Sequence, residues 1–154
     1  MLMTVHGAAG AFIGERINSI PLTFIISFIT HFLFDIIPHG DHDNVIAFKT
    51  EKKIKQVVGL IAVDAVLGLM FLSLYFSQVK NTGANIYPII AGIFGGVLPD
   101  LLVGLYQMNK KYFFRFNFIH MRIHELIKFR IPLKVAFVLQ ILFIIIIWQF
   151  YKFQ

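Results

Sequence analysis

Lipid is a poor solvent for charge, yet this chain carries acids and imidazoles inside stretches that otherwise read as membrane helices. The clearest stretch runs Thr30-His31-Phe32-Leu33-Phe34-Asp35-Ile36-Ile37-Pro38-His39-Gly40-Asp41-His42-Asp43. His31 and Asp35 are spaced i and i+4, so one helix face holds both, and Thr23 and Ser27 continue that face. Pro38 and Gly40 then break the helix and free the chain to curl back with more His and Asp. Imidazole and carboxylate at this spacing suit metal ligation, or a ligand with its orienting carboxylate. A metal site within the membrane is therefore the leading expectation. The plainer alternative is a hydrogen bond that glues two helices.

Composition supports the membrane reading. The chain is 58% hydrophobic and 14% charged, whereas soluble domains are about a quarter charged. The expected fold is a single all-α integral membrane domain over residues 1–154, with four to five transmembrane helices and one interfacial amphipathic helix. Absence of cysteine excludes disulfides, thiolate ligands and Cys nucleophiles. The net charge of +6 is concentrated in two loops beside spans, so no nucleic-acid partner is expected. Met1 to Gly10 lacks a basic leader, and no removable signal peptide is expected.

A span needs about 20 apolar residues. Gln56–Val79, Ala84–Tyr106 and Ile131–Tyr151 qualify, and Ile20–Pro38 qualifies apart from its polar stripe. Thr4–Gly14 is short and rich in small residues; it either barely crosses inside the bundle or only dips in. Lys111–Phe129 carries Arg115, Arg122 and Lys128 among Phe and Ile, and reads as the interfacial helix. Its first third also alternates with period two. Eleven of the fourteen basic residues fall between Lys49 and Lys55 or between Lys110 and Lys134, which places those two stretches in the cytoplasm.

With about 1.5 Å of rise per residue, His31 and Asp100 lie roughly 10 Å from the cytoplasmic end of their helices, Asp64 roughly 13 Å and His6 about 7 Å. His39, Asp41, His42, Asp43, His120 and His124 sit at the rim. Polar groups from several helices thus meet in one layer. Asp100 lies on a face with Gly92, Gly96 and Gly104, and Asp64 has Gly68 one turn away, so both acids are expected to point inward. His6 shares a face with Gly10 and Gly14. His120 and His124 stand one turn apart, the His-x3-His spacing of zinc sites. The expected metal ligands are His31, Asp35, His39 and Asp100, then His6, His120 and His124. Asp64 is expected as ligand or general base, and Arg122 as the group that holds a phosphate.

The pieces Val5-His6-Gly7-Ala8-Ala9-Gly10, Thr30-His31 to Asp35, Pro38-His39 and Leu98-Pro99-Asp100 resemble small bacterial inner-membrane metal-dependent hydrolases. The His-x3-Asp segment is also similar to that of zinc-dependent phospholipase C and single-strand nuclease enzymes. Those zinc enzymes bind a zinc cluster between helices. Here Asp100 is followed by Leu101, Leu102 and Val103, and the second paired segment is His-x3-His. The resemblance implies a multi-pass protein of the bacterial inner membrane, and the charge distribution puts its site toward the cytoplasm.

The functional expectation is metal-dependent hydrolysis of a phosphoester in a lipid or lipid headgroup. Imidazole and carboxylate ligands suit Zn first, with Mn or Fe as alternatives, as one ion or a pair. Expected partners are membrane lipids and a lipid or small phosphorylated substrate, with oligomerisation open. Two other classes compete: a transporter or proton relay lined by His and Asp, and a non-catalytic membrane subunit whose polar residues hold helices together.

Overall fold

The computed structural model describes residues 1–38, 54–80, 82–127, 129 and 131–152. Among these residues are six helices and no strand: α1 (Met3–Ile17), α2 (Ile20–Ile36), α3 (Ile54–Val79), α4 (Ile86–Met108), α5 (Phe114–His124) and α6 (Leu133–Lys152). Local chemistry sets several boundaries. Asn18 closes α1 in the left-handed conformation at φ 49°, which Asn tolerates better than most residues. Pro21 opens the first turn of α2, where no N–H partner is needed, and the helix stops just before Pro38. The Asn85 side chain accepts a hydrogen bond from Tyr87 N at the start of α4.

The innermost element is α1, which packs against α2, α3, α4 and α6. Its residues from Thr4 to Ala11 are all buried, and so is Gly14. Such centrality requires small side chains. Gly10 and Gly92 bring the backbones of α1 and α4 into direct contact, and a Cβ on either would overlap the other's carbonyl. Fifteen residues extend about 22 Å, short of a bilayer's hydrocarbon thickness. The first segment is therefore a short helix enclosed by longer ones.

Among the described residues, two helical stretches are long and apolar enough to cross a membrane, Val58–Val79 and Ile86–Met108. The apolar parts of α2 and α6, Ile20–Ile36 and Lys134–Phe150, are shorter. The expectation of four to five spans thus finds two helices of span length. The predicted interfacial helix is also shorter than expected, Phe114–His124 instead of 111–129, because a turn at 109–113 precedes it and it ends at Glu125.

Burial on α2 is inverted relative to a soluble protein. Its buried residues are Thr23, Ser27, His31 and Asp35, while Leu22, Ile25, Ile29 and Leu33 are exposed. Apolar packing concentrates at the far end of the bundle, where Phe71, Tyr75, Val79, Ile89 and Ile147 surround Ala8, Ala9 and Ala11. The other end of α1 carries the polar groups.

Candidate metal centre

Asp35 is the hub. Its Oδ2 lies 2.9 Å from His31 Nε2, 2.9 Å from His124 Nε2 and 3.3 Å from His120 Nε2. Its Oδ1 lies 3.2 Å from His6 Nε2 and 3.0 Å from the amino group of Met1. Three helices supply these imidazoles, with His6 on α1, His31 on α2, and His120 and His124 on α5. From α4, Asp100 Oδ1 stands 3.8 Å from His31 Nε2 and 3.7 Å from His120 Nε2.

The backbone fixes the proton on His31. Its Nδ1 lies 2.7 Å from the carbonyl oxygen of Gly96, so Nδ1–H donates there. A neutral His31 then has only a lone pair at Nε2, facing Asp35 Oδ2 at 2.9 Å and His120 Nε2 at 3.1 Å. Electron pairs at that range repel unless a proton or a cation stands between them. Asp35 Oδ2 has no hydrogen-bond partner of good geometry among the described residues. Extra protons are a poor remedy, because the imidazolium rings would be buried and crowded. The ring centroids of His6 and His31 are 4.0 Å apart, and those of His120 and His124 are 4.7 Å apart.

A divalent cation removes the conflict. His31, Asp35, Asp100 and His120 each offer one ligand atom within 4.8 Å of the others, and the four can hold a metal ion. For bonds of about 2.0–2.1 Å, ligand atoms around one ion stand about 2.9 Å apart in an octahedron and about 3.3 Å apart in a tetrahedron. The separations among His31, Asp35 and His120 are 2.9, 3.1 and 3.3 Å. His124 adds another nitrogen 2.9 Å from Asp35. Burial holds its imidazole below the ordinary range, while Asp35 pulls the other way, so the ring is kept neutral and ligand-competent.

The cluster is closed on one side and open on the other. The side chains of His6, His31 and Asp35 have no exposure, whereas those of Asp100 and His124 retain 21% and 17%. Beside it, between the end of α2 and α6, lies an apolar cavity of about 120 Å³ lined by Met1, Phe34, Ile37, Leu139 and Phe143 among others.

The structure brings together six of the residues expected from sequence: His6, His31, Asp35, Asp100, His120 and His124. It places Asp64 elsewhere. The Asp64 carboxylate accepts from Met3 N at 2.6 Å, Thr4 N at 3.2 Å and the Thr4 hydroxyl at 2.6 Å. These are the unsatisfied donors at the start of α1, so Asp64 caps that helix from α3 and does not face the ligands. Arg122 also points away. Two residues from both His120 and His124, it lies on the opposite face of α5, exposed, with its guanidinium 5.1 Å from the Phe118 ring centroid. His39, Asp41, His42 and Asp43 lie outside the described residues.

Two participants escape a sequence reading. The Gly96 carbonyl is a backbone acceptor with no signature of its own, since the carbonyl that Pro99 leaves without an N–H is that of Gly95. Gln140, buried on α6, accepts from Leu2 N at 2.7 Å and helps hold the start of α1. Its signal was available, as a lone amide in an apolar helix.

No family model matches the chain, and no curated protein or solved structure does either.

Proposed function

We propose that the chain is a membrane-embedded, metal-dependent hydrolase acting on a phosphoester of a lipid or lipid headgroup at the cytoplasmic leaflet. The observation that carries this reading is the spacing of His31, Asp35 and His120, which matches the edges of a coordination polyhedron, with Asp100 standing 3.7–3.8 Å off on the accessible side. Structural metal sites are closed, whereas catalytic ones keep a position for water or substrate. A bound divalent ion supplies an activated water and polarises a phosphoryl oxygen. Zinc is the first choice for imidazole and carboxylate donors.

The protein's own contribution follows from the geometry. His31, held by Gly96, and Asp35 form the rigid floor. His120 and Asp100 complete the set, and neutral His124 at the open edge offers a further nitrogen. The inverted burial of α2 supports a lipid environment, since apolar side chains outside and polar ones inside suit a bundle whose solvent is hydrocarbon. The neighbouring apolar cavity suits a substrate with an acyl or prenyl tail.

The test uses protein purified in detergent without chelator. Elemental analysis is expected to find bound first-row metal. Turnover of a phospholipid and polyprenyl-phosphate panel is expected to stop on chelation and return with Zn. Absence of metal, or hydrolysis indifferent to chelator, defeats the reading.

A second reading, an ion or proton relay, draws on Thr23 Oγ1 and Ser27 Oγ, which are buried without hydrogen-bond partners on the His31 face. Proton or metal flux in reconstituted vesicles, in the absence of hydrolysis, selects it.

A further inference from the structure

Helix α5 has two faces of different chemistry. The inward face carries Phe116, Asn117, His120 and His124, and the helix packs on α2 and α4. The outward face carries Arg115, Phe118, Ile119 and Arg122, all exposed. Arg115 and Arg122 are seven residues apart and therefore aligned, with Phe118 and Ile119 between them. Exposed Lys110 and Lys111 precede the helix, and no acidic residue occurs between Asp100 and Glu125. Eleven residues span only about 16 Å, too short to cross.

The entry to α5 is strained. Phe113, at its N-cap, adopts φ 57°, a left-handed conformation unfavourable for a bulky residue, and its side chain gains little from the protein because the residue is 45% exposed. A medium that takes up Phe113, Phe114, Phe118 and Ile119 while meeting four cations would offset that strain. The basic surface, with Glu125 at its very end, is interleaved with large apolar side chains, and this selects an anionic bilayer interface over an acidic protein surface, which would leave those rings in water.

We propose that the outward face of α5 docks on the anionic headgroup layer of a bilayer, and that this docking holds His120 and His124 in the metal cluster. Lipid charge then acts as an effector of metal affinity, because one rigid helix carries both contacts. The coupling half rests on the metal reading given above; the docking half does not.

The experiment places the full chain in nanodiscs of neutral phosphatidylcholine and in nanodiscs containing phosphatidylglycerol as well. Zinc affinity is measured in each. A nitroxide at Ile119→Cys, unique because the chain has no native cysteine, reports immersion. The nitroxide is expected at headgroup depth in the anionic discs. Zinc is expected to bind at least about fivefold tighter there, the low end of ordinary coupling between two sites. High salt should erode the gain. The triple variant K111Q/R115Q/R122Q is expected to abolish the difference between the two discs. Circular dichroism and a melting curve establish that the variant is folded. Equal zinc affinity in both discs overturns the coupling. A nitroxide exposed to water in both overturns the docking and points to a protein partner on this face. If zinc binds in neither disc, the metal reading and the coupling fail together, and the nitroxide alone decides the docking.

Discussion

Asp35 and Asp64 are both buried carboxylates among apolar helices, and their surroundings assign them different work. Asp35 faces four imidazole nitrogens, of which that of His31 carries a lone pair, whereas Asp64 faces N–H and O–H donors that fill its oxygens. Asp35→Asn replaces a ligand oxygen with an amide. Metal affinity is expected to fall by more than the roughly 10–100-fold lost when a ligand's hydrogen-bonding partner is removed. In Asp64→Asn the amide NH₂ confronts the α1 donors. It is expected to cost about 1–3 kcal/mol of stability while metal occupancy stays near wild type. Calorimetry and elemental analysis separate the two, and equal metal loss in both variants would refute the assignment. The difference between the acids was not legible in sequence, because nothing in the chain says which helix start Asp64 will meet. The polar face of α2 was legible, since Thr23, Ser27, His31 and Asp35 repeat every four residues. At His124, burial depresses the folded pKa below that of the unfolded chain. The unfolded state therefore takes up the proton first as pH falls. The neutral ring's contribution to stability is full above about pH 6.5 and fades below it. The melting temperature of chelator-treated protein is expected to drop between pH 7.5 and pH 5.5, and His124→Gln should flatten that part of the curve.

At the level of the elements, the site depends on how closely α1 approaches α4. The Gly10–Gly92 contact sets the distance between the helix that carries His6 and the helix that carries Gly96 and Asp100. Small-residue faces on both segments announced a close contact in sequence, which is why the inward placement of His6 and Asp100 could be read. The enclosure of α1 by four neighbours could not, since a short Gly- and Ala-rich stretch fits a dipping segment equally well. Arg122 could have been excluded earlier, because a residue midway between two ligands one turn apart must point away from them. Gly92→Ala forces a methyl group into the α1 backbone. It is expected to destabilise the protein by at least about 1–3 kcal/mol and to weaken metal binding with it. Gly59→Ala on α3, where an added Cβ meets nothing within 4 Å, is the matched control. It should leave stability unchanged or raise it by about 0.5–1 kcal/mol through helix propensity. Thermal melts of the two variants in one detergent read the contrast. Equal effects would mean that the α1–α4 contact does not set the site.

For the whole molecule, two helices of span length, α3 and α4, follow each other after a short connection, so in a bilayer that connection and their distal ends would face opposite sides. Asp100 lies near the distal end of α4, and α5 follows it with its aligned arginines. The metal cluster, the basic surface and the residue 109–113 turn therefore belong to one side. Basic residues are retained on the cytoplasmic face, and eleven of the fourteen lie between 49 and 55 or between 110 and 134. Helix geometry puts the cluster and the 110–134 stretch on one side, and the charge bias is the reason for expecting that side to be cytoplasmic. Because the chain has no cysteine, one introduced thiol reports one position. In intact cells an impermeant maleimide is expected to label Thr82→Cys and to leave Lys111→Cys untouched until the membrane is opened. Labelling of Lys111→Cys from outside would reverse the bundle. The open edge at Asp100 and His124 would then face the exterior leaflet, and a substrate drawn from the cytoplasmic leaflet would have no route to the ligands.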